Sequence, residues 1–305
     1  MNTIEVKDLK KYFGQVKAVD GISFEVKKGE IFGFLGPNGA GKTTTIRCMM
    51  DFIRPTGGSI KISGLDAQKD SASLKTKVGY LSGDVRLYEK WTGQEHIKWV
   101  ERFRGSSKTL NNLITRLDFN PETRVKHLSS GNLQKLGLIL ALMAQPEILI
   151  MDEPTLGLDP LLQNEIHEIL RELKTKGTTI FISSHNLPEV ERLCDRVGII
   201  KKGKLIAVES IPNLKGKKIQ TVNVQFDQKF KGADFEGDGL EIIQETYNGL
   251  ILKVKGDVNV LVRKLSNYRL KNLEISFASL EDVFLEYYGQ NNRKETNRKI
   301  AENDQ

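Results

Sequence analysis

A glycine-rich segment constrains this sequence more than any other feature. Its residues are Gly36, Pro37, Asn38, Gly39, Ala40, Gly41, Lys42, Thr43 and Thr44. They match G-x-x-x-x-G-K-[ST] in the context that this pattern requires, after an apolar strand and at the start of a helix. Such a backbone curls so that its N–H groups point at phosphate oxygens, and the helix N-terminus adds positive potential. We therefore predict a nucleoside triphosphate site in which Lys42 reaches the β- and γ-phosphates and the Thr43 hydroxyl binds Mg²⁺.

Two carboxylates follow a second apolar run. Ile148–Met151 has the pattern of a buried strand, and Asp152 and Glu153 come at its C-terminal end, where ligands bind in open α/β sheets. We expect Asp152 to hold Mg²⁺ and Glu153 to accept a proton from an attacking water. Because a phosphate loop is also present, we prefer this interpretation to that of a surface Asp-Glu pair.

The N-terminal region has the alternation of antiparallel strands. Ile4–Leu9 alternates apolar and polar residues, and Val16–Val19 and Ile22–Val26 flank Asp20-Gly21. Asp-Gly between two alternating runs predicts a hairpin turn. A further turn is predicted at Lys28-Gly29. The region is therefore expected to form an antiparallel β subdomain.

Strands and helices then alternate, which predicts an α/β fold with a mostly parallel sheet flanked by helices. Predicted strands are Ile31–Leu35, Ser59–Ile62, Val78–Leu81, Ile148–Met151, Thr178–Ser183 and Val197–Ile200. Predicted helices are Thr43–Met50, Asn132–Ala144 and those that start at Pro160 and Pro188, with a helical insertion over Trp91–Leu117. Thr92 and Glu95 have the spacing of a capping box, and Asp159 is a candidate N-cap before Pro160.

The pattern changes near Leu214–Lys218. Strands are predicted at Thr221–Phe226, Leu240–Thr246, Leu250–Val254 and Leu273–Phe277, and helices at Val258–Leu265 and Ser279–Tyr288. We divide the chain into a domain at 1–216, with a helical subdomain at about 91–144, and a small α+β domain at 217–289. The polar tail 290–305 is expected to be disordered.

Composition limits the function classes. No apolar run of the 305 residues approaches the ~18–20 residues that span a bilayer, and the N-terminus lacks the apolar core of a signal peptide, so we expect a cytoplasmic chain. The net charge of +7 includes lysine clusters at 201–204 and 215–218, interpreted first as a solvated face and second as a surface near anionic lipid. Nucleic-acid binding is not expected, because no aromatic platform or DNA-reading motif is present. Cys48 and Cys194 lack metal-ligand spacing and are predicted to be buried thiols.

A third segment carries a family resemblance. Leu128 is followed by Ser129, Ser130, Gly131 and Asn132, shortly before the Asp-Glu strand and at a helix start. This segment resembles the signature of the ABC ATPases, which is close to L-S-G-G-Q, with Ser130 and Asn132 as departures. The resemblance implies that residues 129–132 bind the γ-phosphate of ATP held by a second subunit.

The resemblance extends over about the first 210 residues. It implies that Gly157, Leu158 and Asp159 form a loop at the dimer interface and that His185 contacts the γ-phosphate. It also implies an aromatic ring on adenine, for which Phe13 fits by its offset from the following strand and Tyr12 is the alternative. The cofactors implied are ATP and Mg²⁺.

One position departs from the family. The strand Val78–Leu81 is usually followed by a Gln that links Mg²⁺ to the membrane partner, and here that position is Gly83, with Asp84 beside it. Asp84 is a candidate for a polar or metal-linked role that Gly83 cannot fill.

The C-terminal run 278–289, with Ser-Leu-Glu-Asp-Val-Phe, looks like the accessory domain of bacterial antibiotic and toxin exporter ATPases. The resemblance implies an ATPase at the inner face of the membrane, a separate integral membrane permease, and a second ATPase subunit in a homodimer or heterodimer. Three alternatives stay open: a soluble ABC ATPase acting on ribosomes or nucleic acid, an importer ATPase, and a subunit that binds ATP without turnover. Two cassettes or a long coiled coil would mark the first, a larger β-rich domain the second, and loss of the Asp-Glu-His set the third.

Overall fold

The structure is a computed structural model that describes residues 2–105, 108–216 and 219–277. The chain divides into two compact units, of which the first ends at Ser210 and the second begins at Ile211. The predicted helix Ser279–Tyr288, the predicted tail 290–305 and Lys217 and Lys218 lie outside the described residues.

The first unit has ten strands, seven α-helices and a short 3₁₀ helix at Val125–His127 within its described part. The strands are β1 (Asn2–Phe13), β2 (Val16–Lys27), β3 (Ile31–Leu35), β4 (Gly57–Ile62), β5 (Leu65–Asp66), β6 (Val78–Leu81), β7 (Ile148–Asp152), β8 (Thr179–Ser184), β9 (Arg196–Lys201) and β10 (Lys204–Ser210). The helices are α1 (Lys42–Met49), α2 (Ser71–Lys77), α3 (Gly93–Arg104), α4 (Leu110–Arg116), α5 (Ser130–Leu142), α6 (Pro160–Thr175) and α7 (Leu187–Leu193).

A six-stranded sheet in the order β10-β9-β3-β8-β7-β6 forms the centre of the first unit. Every neighbouring pair is parallel except β9 and β10. All residues of β3, β7 and β8 are buried, as expected of parallel strands covered on both faces. The α/β prediction is confirmed, and the parallel direction brings the carboxyl ends of these strands to one edge.

The predicted hairpin turn at Asp20-Gly21 is wrong. β2 runs through both residues as one strand, and the turn between β1 and β2 lies at Gly14. Gly21 has a φ of +74° and is the extra residue between the pairs Leu9–Ile22 and Lys10–Asp20. A glycine with positive φ suits a β-bulge as well as a turn, so the dipeptide alone did not distinguish them.

The antiparallel sheet has the order β2-β1-β4-β5 and packs into the main core with Phe24, Phe32 and Phe181. The helical insertion consists of α3 and α4 rather than one continuous helix. Thr92 and Glu95 form the predicted capping box at α3, and Asp159 caps α6 with Pro160 at its first turn. Strand β10 was not predicted. Among the described helices, none is long and apolar enough to cross a membrane.

The second unit is an α+β structure within its described residues. It contains α8 (Ile211–Gly216), β11 (Ile219–Phe226), β12 (Leu240–Thr246), β13 (Gly249–Lys255), α9 (Asn259–Leu265) and β14 (Leu270–Phe277). The strands form an antiparallel sheet in the order β12-β13-β11-β14. Its core contains Val222, Phe235, Leu252 and Leu261.

Candidate active site

The glycine-rich segment lies between β3 and α1, as predicted. Gly41 precedes the helix with a φ of +112° and no capping side chain. A Cβ atom at Gly41 would lie 2.5 Å from the carbonyl oxygen of Ala18, so only glycine fits there. The first N–H groups of a helix have no intrahelical acceptor. The N–H groups of Lys42, Thr43 and Thr44 are therefore available to an anion at the positive end of the helix dipole.

Lys42 turns its ammonium group back toward the loop. Its side chain is only 6% exposed, and its Nζ donates to the carbonyl oxygens of Gly36, at 2.7 Å, and Pro37, at 3.3 Å. The same Nζ lies 3.1 Å from Oε1 of Glu153. The ammonium group is thus held where the loop, α1 and the end of β7 meet.

Asp152 and Glu153 end β7 at the same edge of the sheet. Asp152 is buried, pairs in register with Ser183 of β8, and accepts a hydrogen bond from the Ser183 hydroxyl. Glu153 has a φ of +50°, a left-handed conformation that costs a non-glycine residue about 1–3 kcal/mol. Its backbone N–H donates to the carbonyl of Ser183 at 3.2 Å. This conformation directs the Glu153 carboxylate toward Lys42.

His185 follows β8 and completes the cluster. Its Nδ1 lies 2.8 Å from Oε2 of Glu153, and its backbone N–H donates to the same oxygen at 3.3 Å. The backbone N–H of Gly36 donates to the carbonyl of Ser184 at 3.2 Å. The structure therefore brings Lys42, Asp152, Glu153 and His185 to one place.

The residues at this edge fit a nucleoside triphosphate with Mg²⁺. Among the described residues, Lys42 is the only partner of the buried Oε1 of Glu153, through an ion pair. This oxygen can therefore still accept a hydrogen bond. Within the described residues no group of three or more His, Cys, Asp or Glu side chains could hold a metal alone. Mg²⁺ commonly takes one or two protein ligands and completes its shell with phosphate oxygens and water. Thr43 and Asp152 are the residues that would hold it here.

The signature segment lies at the start of α5. Ser129 caps the helix by accepting from the N–H of Asn132 at 3.3 Å, with Ser130 as the first helical residue. A Cβ at Gly131 would lie 3.6 Å from the Leu158 side chain, so the segment lies against the loop that ends at Asp159. Among the described residues, no hydrogen bond or ion pair joins residues 129–132 to residues 36–44 of the same chain.

The two candidate aromatic residues differ in their surroundings. The phenol of Tyr12 donates to Asp20 at 2.6 Å, and this hydrogen bond raises the pKa of the phenol. Phe13 is 50% exposed, with the ammonium of Lys11 4.9 Å above its ring. Phe13 therefore has a face available for stacking, whereas Tyr12 is held by its hydroxyl.

Gly83 lies directly beside Asp152. A Cβ atom at Gly83 would lie 3.4 Å from Oδ2 of Asp152. Asp84 instead forms an ion pair with Arg86 at 2.7 Å, and both side chains are exposed. The position that departs from the family is therefore next to the candidate metal ligand, while its acidic neighbour faces solvent.

Two further residues bind the loops that follow β7 and β8 and were not predicted. Gln134 on α5 donates to the carbonyl of Pro154 at 3.0 Å. Glu189 on α7 accepts hydrogen bonds from Thr155 and Ser184. A polar residue in an amphipathic helix is usually taken as solvent-facing, and no motif marks either one.

Comparison with known proteins agrees with this geometry. The ABC transporter family matches residues 19–156. The chain is 33% identical over 295 residues to the uncharacterized ABC transporter ATP-binding protein YhcH of Bacillus subtilis, a match covering 94% of this chain and 96% of YhcH. It is 35% identical over 298 residues to the bacitracin transport ATP-binding protein BcrA of Bacillus licheniformis, covering 94% of this chain and 97% of BcrA.

Solved structures give the same fold. An ATP-binding subunit of an ABC transporter superposes with a TM-score of 0.66 and 30% identity over 70% of this chain and 92% of that one. The ADP conformation of MJ1267, an ATP-binding cassette of an ABC transporter, gives a TM-score of 0.60 and 27% identity over 70% of this chain and 94% of that one.

The fold and the site define a P-loop ATPase. The chain belongs to the ABC transporter family, as one of its ATP-binding subunits.

Proposed function

We propose that this chain is the ATP-hydrolysing subunit of an exporter and drives a separate membrane permease. The observation that carries this proposal is the match to BcrA, which covers 94% of this chain and 97% of BcrA and so includes the second unit. That relative is named as an ATP-binding protein of bacitracin transport. A cassette on a non-transport machine would be expected to share the first unit alone.

Within the site, we propose a role for each residue. The loop amides and Lys42 bind the phosphates, and Phe13 stacks on adenine. Thr43 and Asp152 hold Mg²⁺, which when bound neutralises charge on the phosphates. Glu153 accepts a proton from the attacking water, because its Oε1 loses the Lys42 partner once that ammonium pairs with phosphate. His185 orients Glu153 through Oε2 and contacts the γ-phosphate.

A second ATPase subunit is part of the proposal. In the part of the chain that the structure describes, no hydrogen bond joins residues 129–132 to the phosphate loop, so their proposed phosphate contact requires a loop from another subunit. Leu156 is 53% exposed and Leu161 is 82% exposed, and both flank the loop that contacts Gly131. Exposed apolar side chains of this kind are suited to burial at an interface. ATP would bridge the two subunits, and hydrolysis would let them part.

The permease contact is assigned to an aromatic cleft of the first unit. The cleft has a volume of about 400 Å³ and lies between α3 and β6. Phe52, Trp99 and Phe103 are about half or more exposed along it. An apolar, open surface fits a short amphipathic segment of a membrane protein. Binding there would keep the chain peripheral to the inner face of the membrane.

The test is a tagged pull-down from native membranes in mild detergent, combined with ATPase assays of the purified full chain. We expect a polytopic membrane protein in near-equal amount and hydrolysis that is lost in Glu153→Gln. Recovery of ribosomal or DNA-associated proteins without a membrane protein would overturn the exporter proposal in favour of a soluble ABC ATPase. Turnover that survives Glu153→Gln would overturn the role given to Glu153.

A further inference from the structure

Glu189 is a buried carboxylate that the roles above leave unused. It lies on α7 and is only 6% exposed. Its Oε1 accepts from the Thr155 hydroxyl at 2.6 Å, and its Oε2 accepts from the Ser184 hydroxyl, also at 2.6 Å. Nε2 of His167 on α6, likewise buried, lies 3.5 Å from Oε1. Burying a carboxylate costs free energy unless hydrogen bonds compensate it. Here the hydroxyl donors supply that compensation, and they thereby fix the segments to which they belong.

The two hydroxyl donors lie on two different catalytic loops. Thr155 comes two residues after Glu153, and Ser184 comes one residue before His185. Each oxygen of the Glu189 carboxylate therefore fixes one loop. Glu153 and His185 are themselves joined at 2.8 Å, so this distance depends on where both loops are held.

We propose that Glu189 is a positioning residue for ATP hydrolysis, which clamps the Glu153 loop and the His185 loop in register through Thr155 and Ser184. This inference rests on the roles proposed for Glu153 and His185. Among the described residues, no hydrogen bond or ion pair joins Glu189 to Lys42 or to the phosphate loop, so it acts on the proton-accepting carboxylate rather than on nucleotide binding.

The clamp requires an ionised carboxylate. The Ser184 hydroxyl already accepts from the N–H of Asn186 at 2.9 Å, so its proton is free to be donated to Glu189. The Thr155 hydroxyl likewise donates, and a carboxylate accepts both. Burial alone would raise the pKa of Glu189, but the hydrogen bonds from His167, Ser184 and Thr155 together lower it. A glutamine side chain replaces one of the two carboxylate oxygens by an NH₂ donor, so it cannot accept a hydrogen bond at both ends as Glu189 does.

The first experiment compares Glu189→Gln with Glu30→Gln in the full chain. Glu30 is the matched control because it is also a buried carboxylate of the first unit, paired with Arg196 at 2.9 Å, and it is not assigned to the site. We expect Glu189→Gln to lower kcat for ATP at least about tenfold, as small misplacements of catalytic groups do, with KM for ATP within twofold of wild type. A kcat within twofold of wild type, or an equal loss in Glu30→Gln, would overturn the proposal.

Thr155→Val keeps the test decisive if Glu189→Gln does not fold. It removes the hydroxyl with little change of volume and cuts only the link to the Glu153 loop. We expect a similar loss of kcat with unchanged KM. In the double variant Glu189→Gln/Thr155→Val, the fold loss of kcat should be smaller than the product of the fold losses of the two single variants. Multiplicative losses would refute the clamp.

The two proposals fail in different ways. If wild type hydrolyses ATP and Glu153→Gln does not, the proposed function of the site stands, and a normal kcat in Thr155→Val then overturns only the clamp. If Glu153→Gln retains turnover, the proposed role of Glu153 fails first.

Discussion

The ammonium group of Lys42 lies 3.1 Å from Oε1 of Glu153, so the proposed phosphate-binding cation and the proposed general base form an ion pair with each other. A phosphate that binds Lys42 must compete with that carboxylate. We therefore expect ATP binding to release the oxygen that is proposed to accept the proton. In that case the ion pair would link occupancy of the phosphate loop to activation of the proposed base.

This ion pair predicts the behaviour of Glu153→Gln in binding. The variant leaves Lys42 buried without an anionic partner and removes a carboxylate that repels phosphate. We expect Kd for ATP to fall by up to about tenfold, which corresponds to about 1.4 kcal/mol, and ATP with Mg²⁺ to raise Tm more than in wild type. Fluorescent-nucleotide titration and thermal unfolding measure both effects.

Glu147→Gln is the matched control for this prediction. Glu147 is an exposed acid directly before β7, so its replacement changes the net charge equally without touching the cluster. Its Kd should equal that of wild type. A Glu153→Gln variant that binds ATP more weakly than wild type would contradict the proposed competition.

Gly83→Gln tests the position that departs from the family. The added Cβ atom would lie 3.3 Å from the backbone carbonyl oxygen of Asp152 and 3.4 Å from its Oδ2, so Asp152 must shift by a few tenths of an ångström. Its amide would then lie beside the candidate metal ligand. We expect the Mg²⁺ concentration for half-maximal hydrolysis to fall about threefold to tenfold, the effect of one hydrogen bond worth about 1 kcal/mol.

Gly83→Ala distinguishes the effect of the glutamine amide from the steric effect of the added Cβ atom. It introduces the same Cβ near Asp152 without a polar group, so its Mg²⁺ requirement should equal or exceed that of wild type. Equal Mg²⁺ requirements in the Gln and Ala variants would show that the amide does not act on the metal.

The local patterns correctly predicted where the glycine-rich loop and the Asp152-Glu153 pair lie in the fold, because each pattern encodes its own backbone geometry. The phosphate loop and the Asp152-Glu153 strand end are short segments whose residue types fix backbone shape and burial together. The Asp20-Gly21 dipeptide failed because positive φ serves a bulge and a turn alike. β10 was missed because it is only half-buried, with Lys204 at its start and Glu209 next to its end. The Gly83–Asp152 contact and the Glu189 hydrogen bonds are tertiary, and no local pattern contains them.

The aromatic cleft predicts that binding of the membrane partner can be lost without loss of ATPase activity. Phe103 is 73% exposed, so Phe103→Glu should change the free energy of unfolding by no more than about 0.5 kcal/mol, as for other surface substitutions. A charge in the proposed docking surface should nonetheless abolish recovery of the membrane partner while basal ATPase activity stays within twofold. Tyr247→Glu, at a fully exposed aromatic of the second unit, is the control that should leave recovery intact. Normal recovery with Phe103→Glu would place the permease elsewhere.

The burial of the two cysteines predicts that neither thiol reacts with a thiol reagent in the native state. Cys48 and Cys194 are free and buried, and burial raises the pKa of Cys48 to about 11 and that of Cys194 well above its ordinary value. Since the thiolate is the reactive species, we expect no reaction with an aromatic disulfide reagent at pH 8 until the protein unfolds, when both thiols react. Rapid reaction of the native chain would contradict their burial.

The raised pKa of Cys48 predicts the direction in which the free energy of unfolding changes with pH. Above the ordinary thiol pKa of 9.0, the unfolded chain releases a proton that native Cys48 retains. The native state then binds more protons, so the free energy of unfolding falls as the pH rises from about 9 towards 11. Lysines and tyrosines titrate in the same range, so urea unfolding at pH 8 and pH 10 is compared between wild type and Cys48→Ala. We expect the variant to be less stable at pH 8, because it leaves a cavity, and to lose less stability on going to pH 10. An equal loss in both proteins would show that the Cys48 thiol does not titrate differently in the folded and unfolded states.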